Sequence, residues 1–170
     1  MTSLILIGGL PGAGKSTVAE GVAAQLDLTV LSADTVQAAL HRSGVAETVA
    51  GAASYLVLEA LAEKQLVHGR SVLVDAVNPV EAARSLWRGL AERHAAKLRI
   101  VEVVCSDVAL HRVRVEARVR NIPGLDELTW ARVERRMGNY DAWTDERLVL
   151  DSATSEPGPL IDQALAYIRA

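Results

Sequence analysis

Short apolar runs alternate with longer stretches of helical periodicity along this chain. The runs Leu4–Ile7, Leu28–Leu31, Ser71–Val74, Leu98–Val104 and Leu148–Leu150 are rich in Val, Ile and Leu and show little polar alternation. Such runs suit parallel strands covered on both faces, with helices as the crossovers between them. Helices are predicted over Lys15–Leu26, Thr35–Arg42, Ala46–His68, Val80–Ala95, Val108–Asn121, Glu127–Tyr140 and Leu160–Arg169. In the longest of these, the apolar spacing Val49, Ala52, Ala53, Leu56, Ala60 predicts the buried face. The pattern reads as α/β, a parallel sheet of about five strands flanked by helices. Breaks fall at Gly44, Gly69, Asn78-Pro79, Ile122-Pro123-Gly124 and Ser152–Pro159. None has the composition of an interdomain linker, so a single domain is expected over residues 1–170.

Composition narrows the setting. Half of the 170 residues are apolar, enough for one sizeable core. No apolar run approaches the ~20 residues of a membrane span, and residues 1–7 lack the pattern of a signal peptide. The expectation is a soluble, cytoplasmic protein that uses no membrane. Cys105 is the single cysteine, which excludes an intramolecular disulfide and a Cys-rich metal site. Its place after Ile100–Val104 predicts a buried packing role. His41, His68, His94 and His111 have no metal-ligand spacing and are expected at helix ends and surfaces. The net charge of −3 argues against a broad nucleic-acid-binding surface, although the segment from His111 to Arg136 carries seven arginines against four acids.

The chemistry-bearing motif follows the first predicted strand. Gly9-Leu10-Pro11-Gly12-Ala13-Gly14-Lys15-Ser16, with Thr17 after it, fits G-x-x-x-x-G-K-[ST] without a mismatch. Its glycines permit backbone torsions that turn successive N–H groups toward an anion, and a helix starts at its end. In this pattern Lys15 reaches the β- and γ-phosphates of a nucleotide and the Ser16 hydroxyl is a ligand of Mg²⁺. Thr17 is expected to cap or pack the first helical turn.

Strand ends of a parallel sheet gather at one edge, which brings two further acids toward this loop. Asp34 follows the second strand; it is a candidate to accept a proton from an acceptor hydroxyl or to hold metal-bound water, and equally suits an N-cap. Asp75 closes the third strand after three apolar residues, the Walker B pattern in which the carboxylate orients Mg²⁺. Asn78 either steers a substrate or forms the turn before Pro79. Arg114 and Arg118, four apart on a predicted helix, share one face and suit the charge on a phosphoryl group in transfer; the alternative is a solvated basic face partnered by Glu116. That helix, the Pro-Gly break at 123–124 and the next helix suggest a lid over about residues 108–140.

These stretches, "GLPGAGKST", "SADTVQ", "VLVDAVNP" and "RVEAR", resemble the polynucleotide-kinase-like branch of small P-loop kinases and AAA-family ATPase-like proteins, the group that includes zeta toxins and chloramphenicol phosphotransferase. The resemblance implies Asp34 as base for the acceptor hydroxyl, Arg118 with Arg114 as lid arginines, and Asp75 as the third-strand acid. It also implies that the Ser152–Pro159 loop meets the adenine. Gln37 stands where polynucleotide 5′-kinases of this type carry an arginine, and its presence weakens a nucleic-acid acceptor.

The leading expectation is an ATP-dependent, Mg²⁺-assisted phosphotransferase acting on a hydroxyl of a small-molecule acceptor. The alternatives are an NTP-binding switch or slow ATPase, and a polynucleotide 5′-hydroxyl kinase. The acceptor pocket is expected around Gln37, the Leu40–Gly51 segment, Tyr55, Asn78 and Trp87. Oligomeric state is not encoded in any pattern found.

Overall fold

The computed structural model describes residues 2–117 and 122–170; Arg118, singled out above, lies outside the described residues. At its centre runs β1 (Ser3–Gly8), flanked by β3 (Val72–Asp75) on one side and β4 (Lys97–Val104) on the other. With β2 (Val30–Ser32) and β5 (Leu148–Asp151) at the edges, the order is β2-β3-β1-β4-β5 and every pairing is parallel. This is the expected α/β sheet, wound in two directions from β1.

Side chains alternate between the two faces of a strand, and both faces are apolar here. Leu4 and Leu6 pack toward Leu58 and Leu66 of α3 (Glu47–Val67) and Trp87 and Leu90 of α4 (Glu81–Arg93). Ile5 and Ile7 face Val18 and Val22 of α1 (Lys15–Leu26) and Leu160 and Ile168 of α7 (Pro157–Arg169). A smaller cluster of Val115, Leu128, Trp130 and Val133 joins α5 (Val108–Ala117) to α6 (Trp130–Met137). The remaining helix, α2 (Ala33–Arg42), leads directly out of β2.

Several expectations change in detail. Leu28 belongs to the end of α1, because Asp27 turns left-handed (φ 53°) and the Leu28 N–H donates to the Ala23 carbonyl at 2.9 Å. β2 therefore starts at Val30 and runs to Ser32. The buried face of α3 is Ala50, Ser54, Leu58, Ala62 and Leu66, whereas Val49 and Leu56 are exposed by 56% and 62%. α6 is shorter than expected, since Thr129 caps its start and Gly138 its end. α7 starts earlier, with Pro157 in its first turn, where a missing N–H costs nothing. Cys105 lies past the end of β4 and is only half-buried, not a core residue. His111, expected at a surface, is 2% exposed. No helix among the described residues is long and apolar enough to cross a membrane.

Candidate active site

The loop between β1 and α1 takes its shape from its glycines. Gly9, Gly12 and Gly14 adopt φ of 134°, 85° and 96°, and a Cβ on Gly9 would lie 2.1 Å from the Val103 carbonyl oxygen. Gly14 is the N-cap of α1 and has no side chain to cap with, so the first N–H groups of the helix stay open to an anion. The Ala13 N–H closes a turn onto Leu10, and the Pro11 carbonyl accepts from His111 Nε2 at 2.9 Å. Thr17 is exposed at the cleft and caps nothing, a departure from expectation.

Lys15 and Ser16 open α1, and the register of β1 with β3 sets Asp75 beside Ile7. Ser16 Oγ donates to Asp75 Oδ2 at 2.7 Å, while Lys15 Nζ stands 3.8 Å from Oδ1, an ion pair too long for a hydrogen bond. Lys15 is 4% and Asp75 5% exposed, and Oδ1 has no hydrogen-bond partner. A buried carboxylate oxygen left open beside a hydroxyl is a hard-oxygen donor pair that fits Mg²⁺. Among the described residues no group of three or more His, Cys, Asp or Glu is placed to hold a metal. An ion at Asp75 would thus complete its shell with phosphate oxygens and water, as Mg²⁺ commonly does.

Two clefts border this loop on the nucleotide side. One, of 430 Å³, is lined by Gly12, Gly14, Lys15, Ser16 and Arg114. The other, of 620 Å³, extends along Arg114, Ser152, Thr154 and Pro157. Arg114 stands in both, its guanidinium held by Ser152: Nη1 donates to Oγ at 2.8 Å and Nη2 to the carbonyl at 3.1 Å. Glu116 partners Arg112, not Arg114. Asp151 anchors the Ser152–Pro157 loop, and hydrogen bonds from Ser106 and the Ala153 N–H hold its carboxyl below the usual range.

A third cleft, of 610 Å³, opens on the other side of β3. Ser32 pairs with Asp75 across β2 and β3, so Asp34, two residues later, reaches the same sheet edge. The helix cap at this point is Ser32, whose Oγ accepts from the Thr35 N–H, and Asp34 instead lines the cleft with Gln37 and Tyr55. The Tyr55 hydroxyl accepts from the Asn78 N–H at 2.9 Å, and burial pushes the phenol up to about 12. Glu47 and Gly51 also line it, as the sequence suggested.

The residues so assembled carry the full motif chemistry on one sheet edge. The chain belongs to the AAA-domain family. The family model covers residues 4–141. The fold also matches solved small P-loop kinases. A sugar kinase from Janibacter sp. HTCC2649 is 17% identical, with 99% of this chain and 95% of that one covered at TM-score 0.76. Kti12 of Chaetomium thermophilum, in complex with ADP-AlF3, is 20% identical, with 97% and 98% covered at 0.72. The APS kinase CysC of Mycobacterium tuberculosis, in complex with AMPPNP and APS, is 20% identical, with 99% and 98% covered at 0.69. No functionally curated protein matches in sequence.

Within this AAA-domain chain, two residues expected to line the acceptor side do not. Asn78 and Trp87 are fully buried, and Trp87 Nε1 donates to Asn78 Oδ1 at 2.9 Å. Asn78 forms the turn with φ 51° and steers nothing. Three contributors were not singled out from sequence. Arg135 and Arg136 of α6 line the 610 Å³ cleft beside Asp34, and His111 holds the phosphate loop. The first two were lost among seven arginines, and His111 carried no motif.

Proposed function

We propose that this chain transfers the γ-phosphoryl group of ATP to a hydroxyl of a small-molecule acceptor. The observation that carries the reading is the third cleft, of 610 Å³, which brings Asp34 to the sheet edge where Lys15, Ser16 and Asp75 stand. A nucleotide switch has no use for a carboxylate in a separate pocket at that edge. The sugar kinase and APS kinase among the structural neighbours support the same chemistry.

In the proposed reaction the acceptor oxygen attacks the γ-phosphorus as the bond to the β–γ bridging oxygen breaks. Asp34 takes the acceptor's proton, and ADP leaves. Gly9 to Thr17 cradle the phosphates, and Lys15 offsets the charge that grows on the bridging oxygen. Ser16 and Asp75 would hold Mg²⁺, which would supply positive charge to offset that of the phosphates. Arg114, and Arg118 as the RVEAR resemblance implies, balance the charge on the equatorial oxygens. The segment 108–140 serves as the lid that excludes water.

The test is ADP release from Mg·ATP against a panel of hydroxylated acceptors, with Asp34→Ala as control. A kinase shows turnover that rises with one acceptor and collapses in the variant by about a hundredfold or more while nucleotide affinity survives. Acceptor-independent hydrolysis, equal in both proteins, would leave a switch or slow ATPase. Turnover with a 5′-hydroxyl oligonucleotide alone would move the reading to a polynucleotide kinase.

A further inference from the structure

We infer that the acceptor is an amphiphilic alcohol: a hydroxyl joined to an apolar body that ends in an anionic group, and not a sugar or polyol. This rests on the kinase reading and names the substrate class of its acceptor cleft. Between its two ends, the cleft wall is built from Ala52 and Leu56 of α3, Val77 and Val80 after β3, and Ala83 and Leu86 of α4. None of these side chains offers a hydrogen bond. Each acceptor hydroxyl buried against them without a partner loses its hydrogen bonds to water with nothing in return, so a polyol is disfavoured. An apolar body gains instead, because Leu56 and Val80 are exposed by 62% and 39% at this wall. The apolar spacing that predicted a core stripe on α3 is explained in part: Ala52 and Leu56 face the cleft.

The polar groups divide by position. Asp34, Gln37 and Tyr55 lie toward the sheet edge, where the reacting hydroxyl belongs. Arg135, Arg136 and Asn139 come from α6 and the residues after it. Among the described residues neither guanidinium has a carboxylate partner. The other acid of the cleft, Glu47, is held by Arg132 at 2.6 Å. Two adjacent guanidinium groups with no carboxylate partner among the described residues favour a carboxylate or phosphate on the acceptor. Asp34, Tyr55, Arg135 and Arg136 line the same cleft, so the anionic and reacting ends share one space.

The experiment is calorimetric titration of the full chain, without nucleotide, with three probe sets. These are ω-hydroxyalkanoates from hydroxyhexanoate to hydroxydodecanoate, the matching α,ω-diols, and gluconate. At least one hydroxyalkanoate should bind about tenfold more tightly than its diol, the size of one charge-assisted contact. Gluconate should not compete. Arg136→Gln should erase the difference between acid and diol, and Leu56→Gln should weaken both; each site is exposed, so each variant should keep the parent melting temperature. Equal binding of acid and diol, tighter binding of gluconate, or no binding of any hydroxyalkanoate overturns the inference. Adding Mg·ATP separates it from the kinase reading. Binding without ADP release keeps the amphiphile site and sinks phosphoryl transfer; turnover on gluconate does the reverse.

Discussion

Asn78 holds a left-handed backbone at φ 51° and saturates three neighbours at once. Its N–H donates to Tyr55, its carbonyl accepts from Arg84 Nε at 3.1 Å, and its Oδ1 accepts from Trp87. Asparagine tolerates this torsion better than other side chains with a Cβ. Replacement by alanine leaves the buried Trp87 N–H without an acceptor, about 1–3 kcal/mol, and adds about 1–2 kcal/mol for the torsion. Asn78→Gly incurs only the first loss. Equilibrium urea unfolding should therefore rank the asparagine protein above the glycine variant and the glycine variant above the alanine one. Equal midpoints for the two variants would show that the torsion carries no strain.

Arg84 of α4 works one level up, fastening a loop to the sheet edge. It is 1% exposed and has no carboxylate partner among the described residues; Nη1 donates to the Ala142 carbonyl at 2.8 Å and Nη2 to that of Asp141 at 2.7 Å. Its guanidinium lies 3.9 Å from the centre of the Trp143 ring. Trp143 Nε1 in turn donates to the Tyr140 hydroxyl, which donates to Glu102 of β4. Lysine cannot reproduce this planar fork. Arg84→Lys should lower stability by about 2–4 kcal/mol, the loss of two or three charge-assisted bonds to carbonyls. Hydrogen exchange should rise first at residues 139–145. Protection there equal to the parent would mean that the Tyr140–Glu102 contact holds the loop alone. The same elements mark how far sequence reading extends. Strands with two apolar faces and the existence of the helices were legible, as was the phosphate loop, because local pattern determines each. Strand order was not, since five parallel strands admit many orders and only three-dimensional packing selects one. The face of α3 was misread because alanines and leucines fall on several sides of that helix and the core accepts Ser54, whose hydroxyl is satisfied by the Gly51 carbonyl at 2.7 Å. Asp34 and Asp75 were legible from their places after strands, and Arg114 from its helix, while Asn78 and Arg84 act through backbone carbonyls and leave no spacing to find.

At the scale of the molecule, the helical pair α5–α6 touches both halves of the site. Toward the nucleotide, His111 bonds to the Pro11 carbonyl and Val115 packs where a Cβ on Gly12 would fall, 2.5 Å from Cγ2. Toward the 610 Å³ cleft, Arg132 pairs with Glu47 of α3, His41 contacts the Gly124 carbonyl at 2.9 Å, and Arg42 bonds to that of Pro123. The phosphate loop and the 610 Å³ cleft thus border one unit with its own small core. Since a carbonyl only accepts, His111 must carry its proton on Nε2, and the ring stays edge-on to Trp130 at 5.4 Å between centres. His111→Phe keeps a ring in that space and removes the donor, leaving the Pro11 carbonyl unpaired. Affinity for Mg·ADP, measured by calorimetry, should fall about tenfold, matching one buried hydrogen bond. Far-ultraviolet circular dichroism should not change, because the α5–α6 core is intact. An affinity equal to that of the parent would mean that the glycines alone set the loop, and that α5 rests on it without tuning it.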